Sequence, residues 1–216
     1  MMNDQTEEET KPQAIDEHAD STAVRPSEPL SLSQAFGGTS PLRALLETIL
    51  LAAVLFMVIN VTTGRFQVHG SCMEPTLHTG QYVIVSKMVY WFHPPERGDV
   101  IVLQPPGGQE EDYIKRVIGL PGEAIEIRDG VVWVDGLVID EPYVATPPAY
   151  TGAWRLGENQ YLVLGDSRNN ANDSHTWGAL PEENIIGKAW LSYWPPEEWG
   201  LIDHYAFQEE IGKEMY

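Results

Sequence analysis

The chain has 216 residues, 43% of them hydrophobic, which is enough to fill the core of one ordinary domain with appendages. Its formal net charge of −19 argues against nucleic acid as a partner, because binding to phosphates depends on lysines and arginines that displace counterions. A single cysteine and six histidines without His-x-x-x-His spacing predict no intrachain disulfide, no metal site and no other cofactor.

The first 43 residues are polar and rich in Glu, Ser and Pro, and they include the acidic run Glu7, Glu8 and Glu9. Their apolar residues do not recur at a regular spacing. Such a segment buries too little surface on folding to offset the entropy that the chain loses. We therefore predict that residues 1–43 form a disordered tail.

An apolar run from Ala44 to Val61 follows this tail. Its length is near the lower limit for a helix that crosses a hydrocarbon layer about 30 Å thick. We predict a permanent single-pass transmembrane helix over residues 44–62, with the lipid bilayer as its partner. The positive-inside rule does not determine its orientation, because Arg43 on one side is balanced by Arg65 on the other.

Short runs of β-branched and aromatic residues with period-two alternation begin after Thr63, and this period predicts strands. The runs are Gln81–Ser86, Asp99–Leu103, Tyr113–Ile118, Ala124–Arg128, Val131–Val134 and Tyr161–Leu164. Asp135 and Gly136 predict a type I′ hairpin, whose two central residues need positive φ. Because no long helical period follows, we assign residues 63–216 to one mainly β domain built of antiparallel sheet.

Four motifs occur in order along this β domain. They are Val68-His-Gly-Ser-Cys-Met-Glu-Pro-Thr-Leu77, Arg97-Gly-Asp-Val-Ile-Val102, Tyr113-Ile-Lys-Arg-Val-Ile-Gly-Leu-Pro-Gly-Glu123, and Gly165-Asp-Ser-Arg-Asn-Asn-Ala-Asn-Asp-Ser174 followed by Trp177-Gly178. Any one of them is weak evidence. In this order, after a membrane helix, the set resembles the bacterial type I signal peptidases, a family of membrane-bound Ser/Lys-dyad proteases.

The resemblance implies that Lys115 is the general base. In that family a serine hydroxyl attacks the peptide carbonyl while a neutral lysine takes its proton. A lysine in water has a pKa of about 10.4, so a lysine base has to be desolvated by apolar neighbours. The neighbours Ile114 and Val117 are apolar enough to form such an environment.

The nucleophile position is where this sequence departs from the family. Counting back from Met73 places Cys72 where the family has its serine, and the spacing from Val68 and Gly70 agrees with that register. A thiol is chemically suitable, because its thiolate is a strong nucleophile. Three hypotheses remain open: Cys72 is the nucleophile, the adjacent Ser71 hydroxyl acts instead, or the chain is a weak or inactive homologue.

The resemblance also implies supporting roles beside the nucleophile. The backbone amide of Cys72 is expected to hold the oxyanion of the tetrahedral intermediate, since such an intermediate needs preorganised N–H donors. Gly70 and Ser71 are expected to shape the turn, and Met73 is expected to line the substrate site. Substrate binding is therefore assigned to Cys72, Gly70 and Met73.

The motif at residues 165–174 has both matches to the family and a departure from it. Asp166, Arg168 and Asp173 match family positions and are expected to form buried salt-bridge or turn contacts that hold the loop. Ala171 stands where the family usually has a serine that hydrogen-bonds the lysine. Lys115 therefore needs another support, such as packing, a second hydroxyl like that of Ser174, or water.

The function that the resemblance implies is removal of N-terminal signal peptides from secretory preproteins after small residues in an Ala-x-Ala arrangement. The end of the signal peptide is expected to bind as an added strand beside an exposed sheet edge. The expected location is the cell membrane, with the tail cytoplasmic and the β domain extracytoplasmic. The alternative is an inactive relative that binds preprotein ends without cutting them, which Cys72 and Ala171 together suggest.

Overall fold

The structure is a computed structural model that describes residues 40–108 and 111–205. The predicted disordered tail lies outside the described residues except for its last four. The first element, helix α1, spans Pro41–Thr62. It begins three residues before the predicted boundary and ends at the predicted residue.

Helix α1 is stabilised by local interactions and buries none of its side chains. Ser40 accepts a hydrogen bond from the Arg43 amide at 3.3 Å, as an N-cap residue does, and Arg43 pairs with Glu47 at 2.8 Å one turn later. At the other end, the Asn60 side chain donates to the Phe56 carbonyl at 2.8 Å. Among the described residues, α1 is the one helix that is long and apolar enough to cross a membrane.

The rest of the described chain forms a β body with two antiparallel sheets and one short helix. Its elements are β1 (Thr63–Gln67), β2 (Tyr82–Ser86), β3 (Val100–Leu103), β4 (Tyr113–Gly119), β5 (Ala124–Arg128), β6 (Val131–Val134), β7 (Leu137–Val138), β8 (Gly152–Arg155), β9 (Gln160–Leu164), α2 (Ser174–Trp177), β10 (Leu180–Pro181), β11 (Ile185–Trp194) and β12 (Gly200–Leu201). The larger sheet has the order β1-β2-β11-β3-β4-β9-β10, with β12 beside β11, and the smaller has the order β7-β6-β5-β8. The prediction of a mainly β, antiparallel domain is confirmed.

All six predicted strand segments are strands, with ends that agree to within one residue. The predicted hairpin is also confirmed, since Asp135 and Gly136 have φ values of 49° and 85°. Strands β1, β8, β10, β11 and β12 were not predicted. Strand β11 is the longest of the described strands, yet its sequence breaks the alternation with Gly187 and Lys188.

Gly187 is in β11 because the neighbouring strand comes too close for a side chain. A Cβ at this position would overlap the carbonyl oxygen of Ser86 and lie 2.9 Å from a methyl group of Val85. The pairing of β11 with β2 and with β3 also contains register shifts. These bulges interrupt the period of two, which explains why the pattern did not indicate a strand.

A cluster of buried apolar side chains lies beneath the loop that joins β1 to β2. It includes Val68, Met73 and Leu77 from the loop, and Val83 and Ile114 from the strands. Met73 is fully buried, so the residue after Cys72 is anchored in the core. The cluster therefore fixes the loop against β4, the strand that carries Lys115.

Candidate active site

The Cys72 thiol is carried by a loop whose backbone is held at both ends. The Val68 amide donates to the Gln81 carbonyl at 2.8 Å, and the Leu77 amide donates to the Met73 carbonyl at 2.8 Å. Gly70 has a φ of 76°, a left-handed conformation that favours glycine. The thiol itself is half-buried.

Lys115 reaches this thiol from β4. Its Nζ donates to Cys72 Sγ at 3.2 Å and to the Ile114 carbonyl oxygen at 2.9 Å. The ring centroid of Tyr113 lies 5.1 Å from the same Nζ. Only 2% of the residue is exposed, and no carboxylate of the described residues forms an ion pair with it. The structure thus brings together two residues that are 43 positions apart in the sequence.

Arg116, the next residue of β4, points to the opposite face and is fully paired. Its guanidinium makes two hydrogen bonds of 2.8 Å to the Asp166 carboxylate, and both side chains are fully buried. Thr76 donates to the same carboxylate at 2.5 Å. The Tyr143 ring lies 4.1 Å from the guanidinium carbon. Burial and then the Glu141 carboxylate raise the pKa of Tyr143, so this ring remains uncharged beside the ion pair.

Arg168 and Asp173 hold the loop at residues 165–174. Arg168 makes two hydrogen bonds to Glu141, and its Nε donates to the Gly165 carbonyl at 3.1 Å. Asp173 accepts from the Gly165 amide at 2.8 Å and from the His175 amide at 3.0 Å. Burial alone lowers the pKa of the Arg168 guanidinium, but Glu141 raises it above its ordinary value.

This loop contacts the nucleophile loop directly. The Ser167 amide donates to the Cys72 carbonyl oxygen at 3.1 Å. A Cβ on Gly165 would lie 2.5 Å from that oxygen and 2.5 Å from the methyl group of Ala171, so only glycine fits between the two loops. The carbonyl side of Cys72 is therefore fixed by residues far away in the sequence.

Ala171 cannot form a side-chain hydrogen bond with Lys115, and the structure shows which group bonds the amine instead. Ser174, one of the hypothesised supports, is buried, and its hydroxyl accepts from the Val163 amide at 3.0 Å. None of the described hydrogen bonds joins it to Lys115. The support is instead the Ile114 carbonyl, which a side-chain motif cannot reveal because every residue carries a carbonyl.

Ser71 and the backbone amide of Cys72 are the two other groups that the sequence analysis places beside the nucleophile. Ser71 is exposed, and the amine contacts Cys72 instead of it. Within residues 40–108 and 111–205, the Cys72 amide donates to no protein acceptor. This N–H is therefore available to an oxygen atom of a bound substrate.

A cavity of about 450 Å³ opens beside the dyad. Strand β1 and the start of β4 form two of its walls. Its lining residues are Arg65, Phe66, Gln67, Val68, His69, Cys72, Val83, Val102, Glu111, Asp112, Tyr113, Ile114, Lys115 and Asn172. Within the part of the chain that the structure describes, no three His, Cys, Asp or Glu side chains are grouped so that they can hold a metal ion.

Comparisons with known proteins agree with this arrangement of motifs. The model of a family described as signal peptidase, peptidase S26, matches residues 42–194. A probable signal peptidase I-1 from Synechocystis sp. is 40% identical over 169 residues, which cover 74% of this chain and 86% of the relative. A signal peptidase I from Leptolyngbya laminosa is 41% identical over 173 residues, which cover 76% of this chain and 85% of the relative.

A solved structure is also similar to part of the chain. It is the crystal structure of a signal peptidase I from Enterococcus faecalis, and the matched region covers 44% of this chain and 97% of the crystallised chain. The sequence identity is 29% and the TM-score is 0.41.

Proposed function

Because the chain belongs to the signal peptidase family of S26 peptidases, we propose that it removes N-terminal signal peptides with Cys72 as nucleophile and Lys115 as general base. The chain is a hydrolase of the signal peptidase I type. The observation that carries the proposed mechanism is the 3.2 Å contact between Lys115 Nζ and Cys72 Sγ at the wall of a groove. Nucleophile and base within hydrogen-bond reach are the geometric signature of covalent catalysis.

The reaction follows from the positions of these atoms. Lys115 Nζ takes the proton of the Cys72 thiol, and the sulfur attacks the carbonyl carbon of the scissile peptide. The unpartnered Cys72 amide donates to the oxyanion that forms. The resulting ammonium then protonates the leaving amine, and a thioester remains on Cys72. Water hydrolyses this thioester with Lys115 as base, which returns both side chains to their initial state.

The groove suits an extended peptide. Strand β1 is the first strand of its sheet and, among the described residues, pairs with β2, and residues Tyr113–Lys115 of β4 lie before the pairing with β9 begins. Both segments line the same cavity, which Cys72 also lines. A peptide strand between them gains backbone hydrogen bonds, which give affinity without demanding a particular sequence.

Small side chains fit the walls that lie near the sulfur. Phe66, Val83, Val102 and Ile114 line the cavity beside Cys72. Val83, Val102 and Ile114 are buried and Phe66 is half-buried, so this part of the wall is apolar. An apolar wall beside the sulfur supports the Ala-x-Ala preference that the resemblance implies.

Helix α1 supports a membrane-anchored enzyme. Its 22 residues extend about 33 Å, enough to cross the hydrocarbon layer, and β1 follows at the next residue. We place the N-terminal tail on the cytoplasmic side and the β body on the outer side of the cell membrane. Enzyme and signal peptide are then confined to one plane, which raises their effective concentration.

One cleavage experiment tests the proposed function. The purified full chain in detergent is incubated with a secretory preprotein, and the new amino terminus of the product is sequenced. We expect a single new terminus directly after an Ala-x-Ala segment. Binding of the preprotein with no new terminus would instead support the inactive binding protein.

A further inference from the structure

We propose that Tyr113, tied in place by Asn172, is the residue that positions the Lys115 amine and stabilises its charged form during catalysis. This inference rests on the proposed function of Cys72 and Lys115. It assigns a positioning role to the cavity wall next to the dyad, and it explains how the chain functions with a methyl group at Ala171.

Without the Tyr113 ring, two hydrogen bonds alone would orient the Lys115 amine. Its hydrogen bonds go to a flexible thiol at 3.2 Å and to the Ile114 carbonyl at 2.9 Å, and the latter belongs to the preceding residue of the same strand. Tyr113 and Lys115 are two positions apart in β4 and therefore project to the same face. The ring centroid lies 5.1 Å from Nζ, within the range of a cation–π interaction.

Asn172 links this ring to the loop that contacts the nucleophile. Its side-chain amide donates to the Tyr113 hydroxyl at 3.3 Å. Asn172 directly follows Ala171, and the same loop binds the Cys72 carbonyl through the Ser167 amide at 3.1 Å. The loop thus contacts the amine indirectly, through the ring, while it holds the thiol from the other side.

The ring has a chemical role as well as a steric one. Proton transfer from Sγ to Nζ converts the amine into an ammonium ion at a residue that is only 2% exposed. The negative face of an aromatic ring attracts a cation, and this attraction strengthens where water is excluded. The ring therefore favours the state of the dyad in which sulfur attacks, more than the neutral state that precedes it.

The test compares Tyr113→Leu, Tyr113→Phe and Asn172→Ala with the parent chain, and it measures kcat and KM on a secretory preprotein. Tyr113→Leu should lower kcat about tenfold and leave KM within about twofold, because only the charged state loses the ring. Tyr113→Phe keeps the ring and should retain kcat within about threefold. Tyr82→Leu removes a tyrosine that packs against Tyr193 away from the cavity, and it serves as the matched control.

A second readout does not depend on cleavage. The rate at which iodoacetamide alkylates Cys72 without substrate reports proton transfer within the dyad, and Tyr113→Leu should slow it about tenfold. Tyr113→Phe and Asn172→Ala remove the same hydrogen bond, so the double variant should be no slower than either single one. If Tyr113→Leu does not fold, as judged by circular dichroism, Tyr113→Met takes its place, because it also removes the ring.

Three results overturn the inference: a Tyr113→Leu chain with parental kcat and alkylation rate, a loss confined to KM, or additive losses in the double variant. The first two make the ring a passive wall of the groove, and the third shows that Asn172 does not act through Tyr113. A parent chain that never cleaves a preprotein contradicts the proposed function instead. The alkylation rates still decide the role of Tyr113 in that case.

Discussion

Two neighbouring residues of β4 carry basic side chains in different environments. Arg116 is neutralised by Asp166 and enclosed by Thr76 and Tyr143. Lys115 meets a thiol and a carbonyl, and no carboxylate of the described residues pairs with it. Of the two side chains, Lys115 contacts the Cys72 thiol, while Arg116 links the loops that carry Thr76 and Asp166.

Replacement of Lys115 by alanine should lower the cleavage rate by a factor on the order of 10² or more, the usual scale for a general base. Folding should survive, because alanine suits an apolar environment. The measurement is kcat/KM on a secretory preprotein, with Lys87→Ala as a control that lies outside the groove. Full turnover by the Lys115 variant would remove this lysine from the mechanism.

Arg116→Met should destabilise the β body by about 3–5 kcal/mol, because it leaves the buried Asp166 carboxylate without its counter-charge. The pair of Arg128 and Glu126 is about half exposed at 3.5 Å, so Arg128→Met should cost less than about 1 kcal/mol. Denaturant unfolding in detergent measures both free energies. Equal losses for the two variants would show that Arg116 has no special structural role.

The sequence reveals the strands that are runs rich in β-branched, aromatic and other apolar residues, namely β2 to β6 and β9. The strands β1, β8 and β11, which the sequence misses, contain Gly64, Gly152 and Gly187. Strand β11 lies between β2 and β3, and its bulges and Gly187 shift the period. The register of a bulged strand depends on its neighbours, which local residue patterns do not encode.

Gly187→Ala should destabilise the sheet by about 1–3 kcal/mol, since the new methyl group overlaps the Ser86 carbonyl between two central strands. Gly200→Ala is the matched control, because a Cβ there meets nothing within 4 Å. Thermal unfolding followed by circular dichroism compares the two. A Gly187 variant as stable as the Gly200 variant would mean that β2 and β11 separate easily.

For the whole molecule, the sequence predicts the apolar helix, the β body and most residues of the candidate site. Motif spacing identifies Cys72 and Lys115 without showing that they touch, because they are 43 positions apart and two further strands lie between them. The Ile114 carbonyl and the Tyr113–Asn172 contact were not predicted. Both depend on how strands and loops pack in three dimensions, and no local pattern marks them.

The stability of the folded chain should fall as the pH drops from about 6.5 to about 4. Burial, and then the nearby Lys188 ammonium, lowers the pKa of His204 to about 4, against the opposing effect of Asp99. Its Nδ1 accepts from the Val100 amide at 3.1 Å, and protonation abolishes that acceptor. Between these pH values the unfolded chain binds the extra proton, so the free energy of unfolding decreases.

The His204→Gln variant isolates this contribution, because glutamine also offers an acceptor and does not titrate. Its free energy of unfolding should change less than that of the parent between pH 6.5 and pH 4. The carboxylates titrate in both proteins, so their contributions to the free energy of unfolding cancel in the comparison. Parallel pH profiles for the two proteins would show that His204 is not held neutral by the fold.

The most direct test of the account is the effect of iodoacetamide on cleavage. The chain has one cysteine, so the mass of one added carbamidomethyl group reports Cys72 alone. If Cys72 is the nucleophile, cleavage activity falls in step with the labelled fraction, and a signal-peptide substrate slows both. Complete labelling of Cys72 with cleavage retained would contradict the account and assign the attack to another group, with Ser71 the first to test.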